Sequence, residues 1–240
     1  MKNGILFLIV VSLIIGLTSC EYDNYDAPAL ELKGRLVYQG RPLEVGYNDV
    51  SFQLWEDPPR YGGNTAISVP LAQEGNFSSL LYKGDYKLIF TKGQGPFIMP
   101  PNENNDTIYF SMNGNKTMDI EVIPYYMFKD EVKYSYDKTN NNVTVSFSLE
   151  QITGGTEKEV EFIRILYNST QFVKNGDANY YLGYNTTAWP KDGIANFKKT
   201  FELVERPVQN PNQNYLYLRV AVKIRQVEDP LYSPVYKLHL

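Results

Sequence analysis

Short runs in which apolar and polar residues alternate are the sequence feature that most constrains the fold. Such runs occur at Val50–Leu54, Val143–Leu149 and Tyr215–Arg225, and turns rich in Gly, Pro, Asn and Asp separate them. Because successive side chains of a strand point to opposite faces, this alternation is typical of strands with one buried face. Between Leu32 and Ile123 no stretch keeps a helical period over three turns. The pattern predicts an all-β chain.

The composition agrees with an all-β chain and limits its partners. The 20 tyrosines, with 12 Phe and 2 Trp, suit half-buried strands and contact surfaces better than helical bundles. The chain has 23 basic and 27 acidic side chains and a formal net charge of -4. Nucleic-acid binding calls for a basic face, so this balance argues against a nucleic-acid partner.

The N-terminal segment indicates export. Lys2 precedes an apolar run, Ile5–Leu17, which is too short to cross a bilayer comfortably. The run leads into Leu17-Thr18-Ser19-Cys20, which resembles the lipobox of a bacterial lipoprotein. That resemblance implies that residues 1–19 are a signal peptide and that Cys20 carries lipid, including palmitate. The alternative is an ordinary cleaved signal peptide with an incidental cysteine.

A polar segment at residues 20–30 follows and is predicted to be a lipidated tether. Its residues Glu21-Tyr22-Asp23 resemble the acidic signals of surface-exposed lipoproteins in Bacteroides-like bacteria. The resemblance implies a lipid-anchored protein on the outer membrane that faces the cell surface. A plain soluble spacer, or an orientation toward the periplasm, is the alternative. Because Cys20 is the only cysteine, a lipid there leaves none for a disulfide.

Residues 31–124 carry a series of glycine-led strands. The patterns are Gly34-x-Leu36, Gly40-x-Pro42-Leu43, Gly75-x-Phe77 and Gly84-x-Tyr86-x-Leu88. Their order resembles the transthyretin-like, carboxypeptidase-regulatory-like β-sandwich. In that fold the glycines lie in turns, and the aromatic residues lie in the strands that follow.

Residues 125–240 contain a predicted hairpin, Val132–Leu149, and a long alternating strand with Ser233-Pro234 after it. This arrangement resembles a fibronectin type III-like β-sandwich. With Gly95-Pro96-Phe97, Asp106-Thr107-Ile108 and Ile123-Pro124-Tyr125, the whole chain resembles the DUF3823 lipoproteins of Bacteroidetes. The resemblance implies two β-sandwich domains in series, no assigned reaction, and association with SusC/SusD-type glycan-uptake systems.

The residues offer no constellation for catalysis. His239 is the only histidine, so a Ser-His-Asp triad, a Cys nucleophile or a Cys/His zinc site is not expected. Carboxylates are plentiful, but no Glu/Asp pair lies in a loop in the way a glycosidase would need. The oxygen donors of 102–106 lack the spacing of a calcium loop. We predict no catalytic residues, no metal and no cofactor.

Aromatic residues near loops are the candidate glycan-binding residues, because a Trp or Tyr ring can stack on the flat face of a sugar. Trp55 and Tyr61 bracket the loop at 56–63. Four more, Tyr180, Tyr181, Tyr184 and Trp189, fall within 175–193, a loop-rich stretch with a short strand predicted at Tyr180–Leu182. The alternative is that these rings belong to the core or to a domain interface. Thr107 is a candidate O-glycosylation site, because Asp106-Thr107-Ile108 resembles the signal that Bacteroides uses.

The sequence therefore predicts a non-catalytic outer-membrane lipoprotein that is accessory to glycan uptake and binds polysaccharide or oligosaccharide. Its expected partners are the membrane, through the lipid, and SusC/SusD-like outer-membrane proteins. The alternative function is that of a structural or assembly partner in an outer-membrane complex, without a ligand of its own.

Overall fold

The computed structural model describes residues 26–59, 65–101, 106–176, 180–186, 194–203 and 212–240. Within these ranges no helix is long and apolar enough to cross a membrane. A short 3₁₀ helix spans Gly155–Glu157. The strands are β1 Leu30–Tyr38, β2 Arg41–Pro42, β3 Ser51–Glu56, β4 Ile67–Pro70, β5 Asn76–Leu81, β6 Gly84–Phe90, β7 Phe97–Ile98, β8 Ile108–Met112, β9 Lys116–Thr117, β10 Ile120–Glu121, β11 Ile123–Pro124, β12 Tyr126–Phe128, β13 Lys133–Asp137, β14 Asn142–Gln151, β15 Val160–Asn168, β16 Tyr181–Thr186, β17 Ile194–Glu202, β18 Tyr215–Ile224, β19 Leu231–Tyr232 and β20 Tyr236–His239.

The first half of the chain forms a β-sandwich. In one sheet β1 pairs with β2 and β5 in antiparallel and with β9 and β10 in parallel. The other sheet is antiparallel, in the order β4-β3-β6-β8. The two inner faces meet in one core, where Phe52 of β3 and Phe77 of β5 contact edge to face with ring centroids 4.9 Å apart. Burial of these alternating apolar residues holds the two sheets together.

The second half forms another sandwich. One sheet has the order β12-β14-β13, and β17 also pairs with β14. The other has the order β16-β15-β18-β19, and β20 also pairs with β18. Tyr167 of β15 and Phe201 of β17 meet between the sheets with ring centroids 6.3 Å apart. The prediction of an all-β chain with two β-sandwich domains is confirmed.

The pairing of strands changes from one sandwich to the other over a very short stretch. The strand β11 pairs with β7 of the first sandwich, and β12 pairs with β14 of the second. Only Tyr125 lies between β11 and β12, and its N–H donates to the carbonyl oxygen of Pro96 at 3.0 Å. The connection is therefore one residue with a hydrogen-bonded strand on each side, and it holds the two sandwiches close together.

Glycines in the first sandwich serve two purposes. Gly40 and Gly75 have φ values of 76° and 72°, the left-handed region expected of glycines in turns. Gly34, by contrast, lies in the middle of β1, where the alternation that begins at Leu32 predicts a strand. A Cβ atom at Gly34 would come within 1.9 Å of the carbonyl oxygen of Met118. Gly34 is thus required by the close approach of another backbone segment, not by a turn.

Substitution of Gly34 tests this close approach. Gly34→Ala should lower the free energy of unfolding by about 1–3 kcal/mol, because the backbone at Met118 must move to admit the methyl group. Gly114→Ala is the matched control, since no atom lies within 4 Å of a Cβ built at Gly114. Urea unfolding of both variants measures the difference. Equal midpoints for the two variants would contradict the close approach.

Candidate functional site

A tight turn presents an aromatic ring to solvent between β2 and β3. The N–H of Asp49 donates to the carbonyl oxygen of Gly46 at 3.0 Å, and Tyr47 and Asn48 form the turn between them. Asn48 has a φ of 59°, a left-handed conformation that Asn tolerates better than most residues. The N–H of Asn48 also donates to the carbonyl oxygen of Leu71 at 3.2 Å. The turn is therefore fixed at both ends, and the Tyr47 side chain is left 42% exposed.

Lys174, from the second sandwich, stabilises this turn through two hydrogen bonds. Its ammonium donates to the backbone carbonyl oxygen of Tyr47 at 3.0 Å and to the Asp49 carboxylate at 2.5 Å. The Lys174 and Asp49 side chains are only 25% and 17% exposed, so solvent screens this ion pair less than a surface pair. The contact ties a turn of the first domain to the segment after β15 of the second.

Two exposed aromatic rings lie in contact beside Lys174. Phe172 lies two residues before Lys174 and is 46% exposed, and its ring centroid is 5.0 Å from that of Tyr47 at an interplanar angle of 54°. An exposed pair of large rings is unfavourable in water unless a partner covers it, which makes it a candidate binding surface. We call the rings of Tyr47 and Phe172 the aromatic pair.

A groove of about 700 Å³ begins at Tyr47 and runs over the outer face of the β1–β5 sheet. The sheet contributes side chains that point away from the core, because they alternate with buried residues such as Leu32 and Phe77. The groove is lined by Lys33, Gly34, Arg35, Tyr47, Asn48, Pro70, Ala72, Asn76, Phe77, Ser78, Thr117 and Asp119.

The charges in this groove balance one another. Arg35 Nη2 lies 3.2 Å from Asp119 Oδ2, and the backbone N–H of Arg35 donates to Asp119 Oδ1 at 3.2 Å. Lys33 Nζ lies 3.4 Å from the Glu31 carboxylate. Each cation thus has a neighbouring anion, and both pairs are exposed. Such a surface offers hydrogen-bond donors and acceptors to the hydroxyl groups of a ligand. Because its charges are paired, it does not attract a strongly charged ligand.

The junction beneath the aromatic pair contains a fully buried cation, Arg219 of β18. Its Nε donates to the carbonyl oxygen of Ser233 at 2.7 Å, and its Nη2 donates to the carbonyl oxygen of Gln73 at 2.9 Å. The guanidinium carbon lies 4.5 Å from the centroid of the Tyr232 ring. Gln73 belongs to the first domain, so Arg219 links the two sandwiches through a charge-assisted hydrogen bond.

Glu44 of the first domain completes this environment, with its Oε2 3.3 Å from Arg219 Nη2. Burial raises the pKa of Glu44 to about 7, and nearby Glu74 adds to the rise, although the attraction of Arg219 opposes it. Burial also lowers the pKa of the Arg219 guanidinium, but arginine stays protonated in proteins. Backbone carbonyls and the Tyr232 ring therefore stabilise the cation even when Glu44 is neutral.

Two of the predicted glycan-binding residues are half-buried and partnered. Trp55 lies on the outer side of β3, and its Nε1–H donates to the amide oxygen of Gln53 at 3.2 Å. Tyr180 packs against a small cluster that includes Val173 and Tyr232. The structure places Trp55 and Tyr180 in different domains, and it does not bring them together in one site.

Tyr181 and Tyr184 both lie on β16, whereas the sequence predicts a strand only at Tyr180–Leu182 and an exposed loop around Tyr184. The short strand predicted at Tyr180–Leu182 is a six-residue strand, β16. The register between β15 and β16 shifts around Gly183, which is a β-bulge. A bulge reverses the alternation of side chains, so Tyr181 and Tyr184 both pack against the core, while Leu182 is 48% exposed. The Tyr167 ring stacks on Tyr181 with centroids 5.6 Å apart.

Four predicted site residues remain: Cys20, Tyr61, Trp189 and Thr107. Cys20, Tyr61 and Trp189 lie outside the described residues. Thr107 is half-buried and directly precedes β8, after Asp106 with its φ of 67°. In the part of the chain that the structure describes, no three His, Cys, Asp or Glu side chains are grouped to hold a metal ion.

The aromatic pair, its contact with Lys174 and the buried arginine are not predicted by the sequence. Gly46-Tyr47-Asn48-Asp49 has the composition of a turn and could have been recognised as one. Nothing local connects this turn to Phe172 and Lys174, because the contact joins Asp49 to a residue 125 positions later. Arg219 is missed because it occupies a polar position in an alternating strand, where exposure is the ordinary expectation.

Comparisons with known proteins cover nearly all of the described chain. Residues 30–123 match the model of the DUF3823 N-terminal domain, described as a protein of unknown function. Residues 130–237 match the model DUF3823_C, a domain of unknown function. No curated protein matches the chain.

Several crystal structures from Parabacteroides and Bacteroides species are similar along almost their whole length. A DUF3823 family protein from Parabacteroides merdae is 28% identical, with a TM-score of 0.71, and the match covers 89% of this chain and 100% of that one. A DUF3823 family protein from Bacteroides ovatus is 26% identical, with a TM-score of 0.68 and coverage of 88% and 99%. A Bacteroides uniformis structure named "putative carbohydrate binding protein" is 17% identical, with a TM-score of 0.69 and coverage of 89% and 100%.

The buried carboxyl at the junction predicts a dependence of stability on pH. Because the pKa of Glu44 is about 7 in the folded protein and lower when unfolded, the folded state holds this proton more tightly. The stabilisation is complete below about pH 4.5 and is lost as the pH rises through 7, and it amounts to about 3 kcal/mol. Urea unfolding of the wild type and Glu44→Gln at pH 5 and pH 8 isolates this contribution. If the difference between the two proteins is the same at both pH values, Glu44 does not titrate as described.

Proposed function

The chain belongs to the DUF3823 family, and we propose that it is a non-catalytic, glycan-binding lipoprotein of the outer membrane, accessory to a SusC/SusD-type uptake system. The resemblance to DUF3823 that the sequence indicated is confirmed by both family models. The exposed aromatic pair of Tyr47 and Phe172, beside a groove that also contains charged and polar side chains, is the observation that carries the proposal.

The composition of the site supports a sugar as the ligand. A pyranose has an apolar face that stacks on an aromatic ring and a rim of hydroxyl groups that needs both donors and acceptors. Tyr47 supplies the ring, and Asn76, Arg35 and Asp119 supply donors and acceptors within the same groove. Pockets that bind small molecules commonly combine apolar walls with a few such polar groups.

The rigidity of the site supports binding as well. The Tyr47 turn is held by its own hydrogen bonds and by Lys174, and its ring already contacts Phe172. Binding therefore requires little ordering of side chains, which is one of the main costs of association. The name of the Bacteroides uniformis structure, a protein with the same fold, agrees with carbohydrate as the class of ligand.

The proposed location depends on the N-terminal sequence. Cys20 stands after an apolar run and small residues, in the position that lipoprotein signal peptidases recognise in the family that the segment resembles. A multi-chain lipid at this position would anchor the mature chain firmly, because each buried CH₂ contributes about 0.8 kcal/mol. The tether that follows would then hold the two sandwiches outside the lipid surface.

Substitution of Tyr47 tests the glycan site. Tyr47→Ala should weaken glycan binding about 5- to 100-fold, since base stacking on an aromatic ring, a comparable interaction, contributes about 1–3 kcal/mol. Tyr82→Ala is the matched control, because Tyr82 is also exposed, at 41%, and lies outside the groove. A glycan array on the purified protein, followed by calorimetry with each glycan that binds, gives the affinities.

The array also distinguishes glycan binding from the alternative function. If no glycan binds and the protein co-purifies with an outer-membrane complex, the structural or assembly role is favoured. Equal affinities for Tyr47→Ala and Tyr82→Ala would place the glycan elsewhere on the protein and contradict the site.

The lipid anchor has its own test. Cys20→Ser removes the thiol that would receive lipid, so the protein should lose metabolic labelling with palmitate and leave the membrane fraction. Ser19→Ala is the control, because it keeps the thiol and a small residue before it. Labelling that persists in Cys20→Ser, or labelling absent from the wild type, would contradict the anchor.

A further inference from the structure

The outer face of the β4-β3-β6-β8 sheet carries a row of side chains that crosses three strands. Trp55 of β3 lies opposite Lys87 of β6, and Lys87 lies opposite Tyr109 of β8. All three point away from the core, because each alternates with buried neighbours such as Leu54 and Leu88. We call Trp55, Lys87 and Tyr109 the sheet-face row.

The spacing of the rings in this row follows from the sheet. Adjacent strands lie about 4.8 Å apart, so the two rings, which are two strands apart, stand about 10 Å from each other. That separation is roughly the length of a disaccharide in an extended chain. Tyr109 is 56% exposed, and the Nε1–H of Trp55 is held by Gln53. The two rings thus stand on a rigid sheet.

The charges around the row limit the class of ligand. The Lys87 ammonium lies 4.0 Å from the Asp57 carboxylate, and the neighbouring Asp85 accepts a hydrogen bond from the Ser111 hydroxyl at 2.5 Å. Two carboxylates therefore accompany one ammonium. Their charge disfavours a polyanion such as a uronic acid chain, whereas hydroxyl groups can donate to both carboxylates and accept from Lys87.

We propose that the sheet-face row is a second contact surface of this protein, for an extended and neutral linear glycan. The inference rests on the proposed glycan binding and names its ligand as a polymer. The row and the groove lie on the outer faces of opposite sheets of the first sandwich. A single glycan long enough to engage both surfaces would bind with a higher apparent affinity than one that reaches only one of them.

Three linear hexasaccharides, cellohexaose, xylohexaose and maltohexaose, are the probes for calorimetry with the purified protein. Tyr109→Ala should lower the affinity for a hexasaccharide that binds by about 5-fold or more, and Tyr82→Ala should leave it unchanged. Tyr109→Leu should behave like Tyr109→Ala, because it keeps the apolar bulk and removes the aromatic face. If Tyr109→Ala folds poorly, Tyr109→Leu replaces it as the test of the sheet-face row.

The fluorescence of Trp55 gives a direct second readout. In Trp189→Phe, Trp55 is the only tryptophan, so its emission should shift and become protected from acrylamide when the hexasaccharide binds. If binding depends on Tyr47 but not on Tyr109, and the emission of Trp55 does not change, the sheet-face row does not bind the glycan and the groove remains the binding site. If substitution of Tyr109 lowers the affinity and substitution of Tyr47 does not, the sheet-face row binds the glycan and the proposal for the groove is wrong. If no hexasaccharide binds, the sheet-face row is overturned.

Discussion

The buried guanidinium of Arg219 is the interaction on which the arrangement of the two domains depends. An arginine with no solvent exposure must have its charge stabilised by protein groups. The carbonyl oxygen of Ser233 and the ring of Tyr232 come from its own domain, whereas the carbonyl oxygen of Gln73 and the carboxyl of Glu44 come from the other. Separation of the domains would remove the partners on one side, so the guanidinium favours the docked arrangement.

The proposed binding surface is a consequence of this docking. Tyr47 belongs to the first domain and Phe172 to the second, and they meet where Lys174 reaches the turn of Tyr47. A further contact at the junction, from the N–H of Gly95 to the Asp229 carboxylate at 2.9 Å, supports the same geometry. Two sandwiches joined by a loose linker would leave each ring alone. The fixed junction therefore gives the two-domain architecture a role in the proposed binding surface.

Much of the fold could be predicted from the sequence, because alternation reports directly on which side of a strand is buried. It located β14 and β18 and indicated two sandwiches. The site could not be predicted in the same way. The bulge at Gly183 puts Tyr181 and Tyr184 on the same side of β16, and residues of the other domain contribute to the burial of Arg219. Contacts between residues far apart in the chain leave no periodic signal.

The two sandwiches should unfold as one unit, because the buried arginine links them. Trp189→Phe leaves Trp55 as a probe in the first domain, and Trp55→Phe leaves Trp189 as a probe in the second half of the chain. Urea unfolding of each protein is followed by tryptophan fluorescence and by far-UV circular dichroism. We expect the two transitions to coincide in both proteins and to separate when Arg219→Ala is added. Transitions that are already separate while Arg219 is present would contradict the claim.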